Sequence, residues 1–90
     1  MILVSYDIAD NKLRTKFSKY LSKFGYRLQY SVYKIKNSAR ILENIASDIT
    51  NVFQKEFGET DSVYIFQMSA NCKITTFGYA KNEDTDCFVI

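Results

Sequence analysis

The sequence predicts an α+β sandwich, two helices packed on one face of a mainly antiparallel sheet, and three observations carry that prediction. Apolar residues alternate through the opening stretch and again through later ones. Two longer segments repeat them at helical spacing, and the two patterns interleave as β-α-β-α-β-β with a short apolar terminus. The 90 residues make a single domain, 1–90, since chains divide at roughly 100 to 200 residues per domain. A chain this short buries only about 60–65% of its unfolded surface, so a second subunit is an expected source of stability. Hydrophobic residues at 47% and charged residues at 24% exclude a disordered tail.

The first strand is expected from Ile2 to Ile8, with Ile2, Val4, Tyr6 and Ile8 on one side and Leu3, Ser5 and Asp7 on the other. Asp10 is placed to cap a helix whose apolar positions are Leu13, Phe17, Tyr20, Leu21 and Phe24, with Gly25 at its C′ position. Arg27 to Lys36 alternates and is rich in strand formers, which fits one long strand or two short ones. Ser38 then caps a second helix, Ala39 to Phe57, with a stripe of Ile41, Ile45, Ile49, Val52 and Phe53 and a stop at Gly58. Ser62 to Met68 reads as an apolar strand, Ser69 to Asn71 as a turn, and Lys73 to Tyr79 as the returning strand of a hairpin with a bend at Gly78. After an acidic loop at Asn82 to Asp86, the segment Cys87-Phe88-Val89-Ile90 is too short to stand alone and must pair with something.

This order suits the ferredoxin-like sandwich, which leaves the second face of the sheet uncovered. Leu3, Ser5 and Asp7 lie on that face, and an uncovered semi-apolar sheet face marks a subunit interface, so a symmetric homodimer is expected. No run approaches the roughly 20 apolar residues of a membrane span. The opening also lacks the basic start of a signal peptide, so a cytoplasmic protein without membrane contact is expected.

The chain has no histidine. Within one chain this excludes zinc sites of the usual composition and every nucleophile that relies on an imidazole base. Cys72 and Cys87 are expected to stay reduced and partly buried.

Charge is segregated. From Asn11 to Arg40 there are nine basic residues and no acidic one, whereas residues 41–90 hold three basic against eight acidic. Cations without interleaved anions attract polyanions, while a merely solvated helix would mix signs for i,i+4 pairing. Lys12, Arg14, Lys16, Lys19, Lys23 and Arg27 are therefore candidate nucleic-acid contacts, and Tyr30 and Tyr33 are candidate base-stacking rings within the same stretch. A solubilising face, or one docked on an acidic protein, is the plainer alternative.

Asp7 is the one acidic residue inside an expected strand. A lone carboxylate there serves as a turn cap, or as half of a magnesium site, since such sites use one or two carboxylates with water and phosphate oxygens. A two-fold axis joining the open faces would bring two Asp7 side chains to one shared Mg²⁺. That ion would polarise a scissile phosphate and acidify bound water, replacing the missing histidine.

At these residues the sequence resembles the CRISPR-associated Cas2 family of small adaptation proteins. The anchors are Tyr6-Asp7-Ile8, Arg14 and Lys16, Gly25 and Arg27, and Gln29-Tyr30-Ser31-Val32-Tyr33, in that order along the whole chain. The resemblance implies a ferredoxin-like homodimer and a metal held by Asp7, with Tyr6 beside it in the catalytic motif. It implies nucleic-acid contact through the basic stretch with Tyr33, and subunit or partner contact at Ser31 and at Cys87, Phe88, Val89 and Ile90. Two activities follow from it: metal-dependent endonuclease cleavage of single-stranded RNA or double-stranded DNA, and a scaffold that bridges Cas1 integrase dimers and holds prespacer DNA for spacer integration. Lys34 and Ile35 stand where many relatives have an acidic residue and a glycine, Tyr33 where many have phenylalanine, and Lys16 where some have arginine. Lysine supplies charge without the bidentate fork, so these departures bear on cleavage more than on DNA holding.

Three readings remain open at this point: the DNA-holding adaptor, a freestanding endoribonuclease of the toxin type, and a non-catalytic nucleic-acid-binding module. The last lacks the aromatic run such modules carry on their central strands.

Overall fold

A computed structural model of the chain describes residues 1–69, 71, 73–75, 77 and 88–89. Strand β1 (Ile2–Asp7) is followed by helix α1 (Asn11–Leu21), strands β2 (Gly25–Gln29) and β3 (Val32–Ile35), and helix α2 (Ala39–Asp48). Beyond α2 come a π-helical turn (Ile49–Phe53), a 3₁₀ turn (Gln54–Glu56), strand β4 (Ser62–Gln67), and the short strands β5 (Lys73–Ile74) and β6 (Phe88–Val89). β1 to β4 form one sheet in the order β2-β3-β1-β4, every neighbour antiparallel, which is the ferredoxin-like α+β arrangement.

Alternation in β1 behaves as the sequence requires. Ile2, Val4, Tyr6 and Ile8 are buried, Leu3 and Ser5 are half-buried, and Asp7 is exposed. Their cross-strand partners share their faces: Tyr33 and Ile35 of β3, with Val63 and Ile65 of β4, lie on the buried side. Leu13, Phe17 and Leu21 of α1, Ile45 of α2 and Phe53 pack against that side, so both helices cover one face. Phe17 is its centre, edge-on to Tyr6 at 5.2 Å and to Phe53 at 4.9 Å between ring centroids. Both helix caps form as expected: Asp10 accepts from the Leu13 N–H at 2.9 Å, and Ser38 from the Ile41 N–H at 3.3 Å.

One open alternative is resolved and three expectations need correction. The Arg27–Lys36 stretch resolves into two strands joined through Tyr30 and Ser31, with a bulge between Arg27 and Gln29. Gly25 opens β2 instead of ending α1. A Cβ there would lie 1.9 Å from the Lys34 carbonyl oxygen, so close strand approach is what requires glycine. The second helix does not run α-helically to Phe57. The wide turn at Ile49–Phe53 shifts its phase, leaving Val52 46% exposed and Phe53 buried, so Val52 leaves the expected stripe.

The third correction concerns the hairpin after β4. The β1–β4 ladder continues past Gln67, with Met1 and Met68 exchanging N–H···O bonds of 2.8 and 2.9 Å. The ladder thus ends at Met68, the last residue of the expected strand, but the strand that follows does not return beside β4. β5 pairs in parallel with β6 in a separate two-stranded ribbon, Lys73 opposite Phe88 and Ile74 opposite Val89. Within one chain the C-terminal strand thus already has a partner. Cys72, Gly78, the acidic loop 82–86, Cys87 and Ile90 lie outside the described residues. Among the described residues no helix is long and apolar enough to cross a membrane.

Candidate functional site

The two faces of the sheet divide the expected site residues. Asp7, last in β1 and opposite Ser62, stands exposed on the face that no described helix covers. The same face carries Val32, Lys34, Tyr64 and Phe66, and the rings of Tyr64 and Phe66 meet at 6.2 Å while remaining 62% and 44% exposed. Tyr6 points the other way. Its ring lies in the core against Phe17 and stacks on Tyr33 at 6.4 Å, and burial raises its phenol pKa despite a hydrogen bond with Ser18. Tyr6 and Asp7 therefore do not converge within one chain.

On the covered face, α1, β2 and β3 build a polar cluster at the core's edge. Arg27 of β2 is directly across from Tyr33 of β3, and its guanidinium reaches α1. It donates to the Ser18 hydroxyl at 2.8 Å and to the Tyr33 oxygen at 3.1 and 3.3 Å. Ser18 and Tyr33 are themselves 2.6 Å apart, and Ser22 donates to Tyr33 at 3.3 Å. Burial pushes the Tyr33 phenol up, but the Ser18, Ser22 and Arg27 hydrogen bonds and the Arg27 charge outweigh it and leave the pKa lowered. Tyr33 is 2% exposed, so its ring is closed to stacking, while Tyr30 at the hairpin tip is 85% exposed.

The remaining cations differ in what holds them. Arg14 folds back on the end of β1, donating to the Ile8 carbonyl at 3.0 Å and to Asn11. Lys16 pairs with Glu56 at 3.2 Å, both side chains about half exposed, with its ammonium 5.7 Å from the Phe53 ring centroid. An exposed pair of this kind contributes about 0–1 kcal/mol, but it offsets charge that the sequence order left unopposed. Lys12, Lys19 and Lys23 are exposed along α1 and just beyond it. Ser31 lies in the β2–β3 turn, its carbonyl accepting from the Tyr6 N–H at 3.0 Å.

Sequence reasoning missed Ser18, Ser22 and Asp61. Ser18 sits between the core positions Phe17 and Leu21, and a small hydroxyl on that flank of the stripe was a readable hint. Asp61 accepts from the N–H groups of Gly58 at 2.8 Å and Ala9 at 3.0 Å, tying the loop after Asp7 to the start of β4. A contact across 52 residues leaves no local signal.

The exposed Asp7 carboxylate suits a hard cation held jointly with other donors. Among the described residues no cluster of three metal-ligating side chains occurs, so Asp7 fits as one contributor to a shared site.

The fold and site define a small ferredoxin-like α+β domain with one sheet face that no described helix covers, a carboxylate at the rim of that face and a basic helix on the other side. The family model for CRISPR associated protein Cas2 matches residues 1–76, and the chain belongs to that family. Among its relatives, a CRISPR-associated endoribonuclease Cas2 of Rhodospirillum rubrum is 29% identical over 70 residues, 78% of this chain and 54% of the relative. The chain thus spans about half the length of that relative. The CRISPR-associated endoribonuclease Cas2 of Mycobacterium tuberculosis is 27% identical over 88 residues, 98% of this chain and 74% of the relative. Solved structures share the fold: a hypothetical protein from Thermus thermophilus with a TM-score of 0.75 at 23% identity, covering 90% of this chain and 93% of that one. Streptococcus pyogenes Cas2 has a TM-score of 0.64 at 21% identity, with coverage of 78% and 87%.

Proposed function

We propose that this protein is a homodimeric, Mg²⁺-dependent endonuclease subunit of CRISPR adaptation, in which two open sheet faces meet and two Asp7 carboxylates share one ion. The observation that carries the reading is Asp7, an exposed carboxylate at the rim of a face that no described helix covers and whose other residues include two exposed aromatic rings. Such a face loses apolar surface to a second copy, and the two-fold axis doubles the carboxylate. When bound, Mg²⁺ would polarise the scissile phosphate and supply hydroxide at neutral pH, the role histidine has elsewhere.

The chain's own residues then have separable tasks. Asp7 holds the ion. Tyr6 works from behind: its raised pKa keeps it a neutral phenol, so it fixes the strand end by packing and does not act as a base. Lys12, Lys19 and Lys23, with Arg14 and Arg27, draw the phosphate backbone along α1 without reading sequence. Those basic helices, duplicated in the dimer, equally suit the scaffold role of holding double-stranded prespacer DNA between Cas1 integrase dimers. The endoribonuclease names of the relatives favour RNA as the cleaved strand.

The decisive experiment pairs Asp7→Asn with chelation. Cleavage of RNA or duplex DNA in Mg²⁺ is expected to fall to background in either case. Stability should change by no more than about 0.5 kcal/mol, because Asp7 is exposed. Undiminished turnover would remove Asp7 from the chemistry. Duplex binding that persists in the variant, together with recovery of an integrase partner, would leave the scaffold role standing alone.

A further inference from the structure

The Asp7 carboxylate stands where the sheet runs out. On one side β1 pairs with β3 only as far as Ser5, opposite Val32, with one further bond from the Tyr6 N–H to the Ser31 carbonyl at 3.0 Å. On the other side the ladder with β4 ends at Asp7 itself, opposite Ser62. The orientation of such a terminal rung depends on how the chain leaving it is held. That chain, Ile8-Ala9-Asp10, is held at every residue. Ile8 is buried and its carbonyl accepts from the Arg14 guanidinium at 3.0 Å, while Asp10 caps α1 through the Leu13 N–H at 2.9 Å. Between them the Ala9 N–H donates to Asp61 at 3.0 Å.

Asp61 is the holder that comes from the opposite strand. It directly precedes Ser62, the cross-strand partner of Asp7. One of its oxygens takes the Ala9 N–H and the other takes the Gly58 N–H at 2.8 Å, while its own N–H donates to the Gly58 carbonyl at 3.1 Å and closes the turn 58–61. The carboxylate thus bridges two backbone amides, one in the chain leaving β1 and one in the turn entering β4. Hydrogen bonds to an ionised acceptor are the stronger kind, so the bridge is a firm one. Groups that hold a metal are themselves oriented by such outer partners, and metal affinity depends on them.

We infer that Asp61 is a positioning residue for the Asp7 site: by bridging the Ala9 and Gly58 amides it locks the end of β1 in the attitude in which the Asp7 carboxylate takes a divalent cation. The inference rests on the reading that Asp7 holds Mg²⁺. It adds to that site a second carboxylate that orients the first and is not itself a ligand, and it gives the turn before β4 a share in metal affinity.

The test titrates Mg²⁺ alone into the full chain by calorimetry, with thermal unfolding of each variant followed in parallel. Asp7→Asn is expected to abolish binding. Asp61→Ala loses both bridging bonds and should weaken binding roughly 10-fold, the lower end of what removing an outer partner of a metal ligand costs. Asp61→Asn keeps one acceptor oxygen and should weaken it only roughly 2- to 3-fold, the effect of one modest hydrogen bond. Ser38→Ala removes the capping bond of α2, which is no part of this rim; it should lower the unfolding temperature and leave Mg²⁺ affinity unchanged. That ordering separates orientation of Asp7 from general loosening of the fold. Should Asp61→Ala not fold, the intermediate loss in Asp61→Asn decides alone. Unchanged affinity in the folded Asp61 variants would overturn the inference, as would an equal loss in Ser38→Ala. Abolition by Asp61→Asn, matching Asp7→Asn, would make Asp61 a ligand and overturn it as well. A wild type that takes up no Mg²⁺, or Asp7→Asn that still does, would refute the parent reading and this inference together.

Discussion

One sheet presents two faces with aromatic residues on each, and they are finished in opposite ways. On the covered face the tyrosine oxygens are partnered: Tyr33 with Ser18, Ser22 and Arg27, and Tyr20 with Asp48. Among the described residues no buried side-chain nitrogen or oxygen lacks a hydrogen bond. On the other face Tyr64 and Phe66 project from β4 with, among the described residues, only each other as ring partner, next to a half-buried Leu3. The contrast teaches that the first face is where the isolated chain acquires stability. The second carries exposed aromatic surface with the Asp7 carboxylate at its rim, and on the function proposed above that surface meets a second copy.

The comparison can be broken most directly by truncating one ring on each side. Phe17 is fully buried and touches Tyr6, Tyr20 and Phe53, so Phe17→Ala should cost about 3–5 kcal/mol in denaturant unfolding. Phe66→Ser should change the unfolding of the monomer by only about 0.5 kcal/mol. In sedimentation it should shift the population from dimer to monomer. Equal losses of stability from the two variants, with no change in association, would show that the uncovered face is not reserved for a second copy.

A smaller effect sharpens the picture of the polar edge. Tyr33→Phe removes an acceptor shared by Arg27 and Ser22 and the oxygen facing Ser18, and it should cost about 1–3 kcal/mol. The sign of the pH dependence separates hydrogen bonding from ionisation. With its pKa lowered in the fold, the Tyr33 phenolate would add stability only at alkaline pH, fully above the ordinary value of 10.0, and lose it as pH falls through the lowered value. Below the lowered value the group is a phenol in both states, so the cost of Tyr33→Phe there reports hydrogen bonds alone. Ultraviolet titration of the phenols should show one tyrosine ionising early in the wild type and none in the variant.

The faces of β1 were legible because a period of two leaves no choice once Ile2, Val4 and Tyr6 are assigned inward, and Asp7 then had to face outward. The caps at Asp10 and Ser38 were equally local. What escaped was set by distant partners. Val52 turned outward because of a π turn that periodicity does not encode, and Gly25 became a strand residue because the Lys34 backbone lies against it. At the site, the basic character of α1 was readable, but its partial offset by Glu56 arises from residues 40 positions apart. Likewise Tyr30 and Tyr33 look equivalent in sequence, three residues apart in one strand-forming stretch. The turn between β2 and β3 exposes the first and buries the second.

The finest distinction concerns how firmly the rim of the open face is held. Asp61 accepts from the Ala9 and Gly58 amides, and these two backbone hydrogen bonds lower its carboxyl pKa below the ordinary 3.8. A depressed carboxyl stabilises the fold above the unfolded value and ceases to do so as pH falls through the folded one. Tethering of the loop after Asp7 should therefore be complete at neutral pH and released only in acid below about 3.8. Asp61→Asn retains one acceptor oxygen but sets an NH₂ group against one of the two N–H donors, so one bond is lost at every pH. Amide hydrogen exchange should show weaker protection at Ala9 or Gly58 in the variant. Acid should bring the wild type toward that level, with little further change in the variant. If metal is gripped at the strand end, the same substitution should weaken Mg²⁺ binding slightly, where Asp7→Asn abolishes it. Unaltered exchange at both amides would show that the β1 rim is rigid without its link to β4.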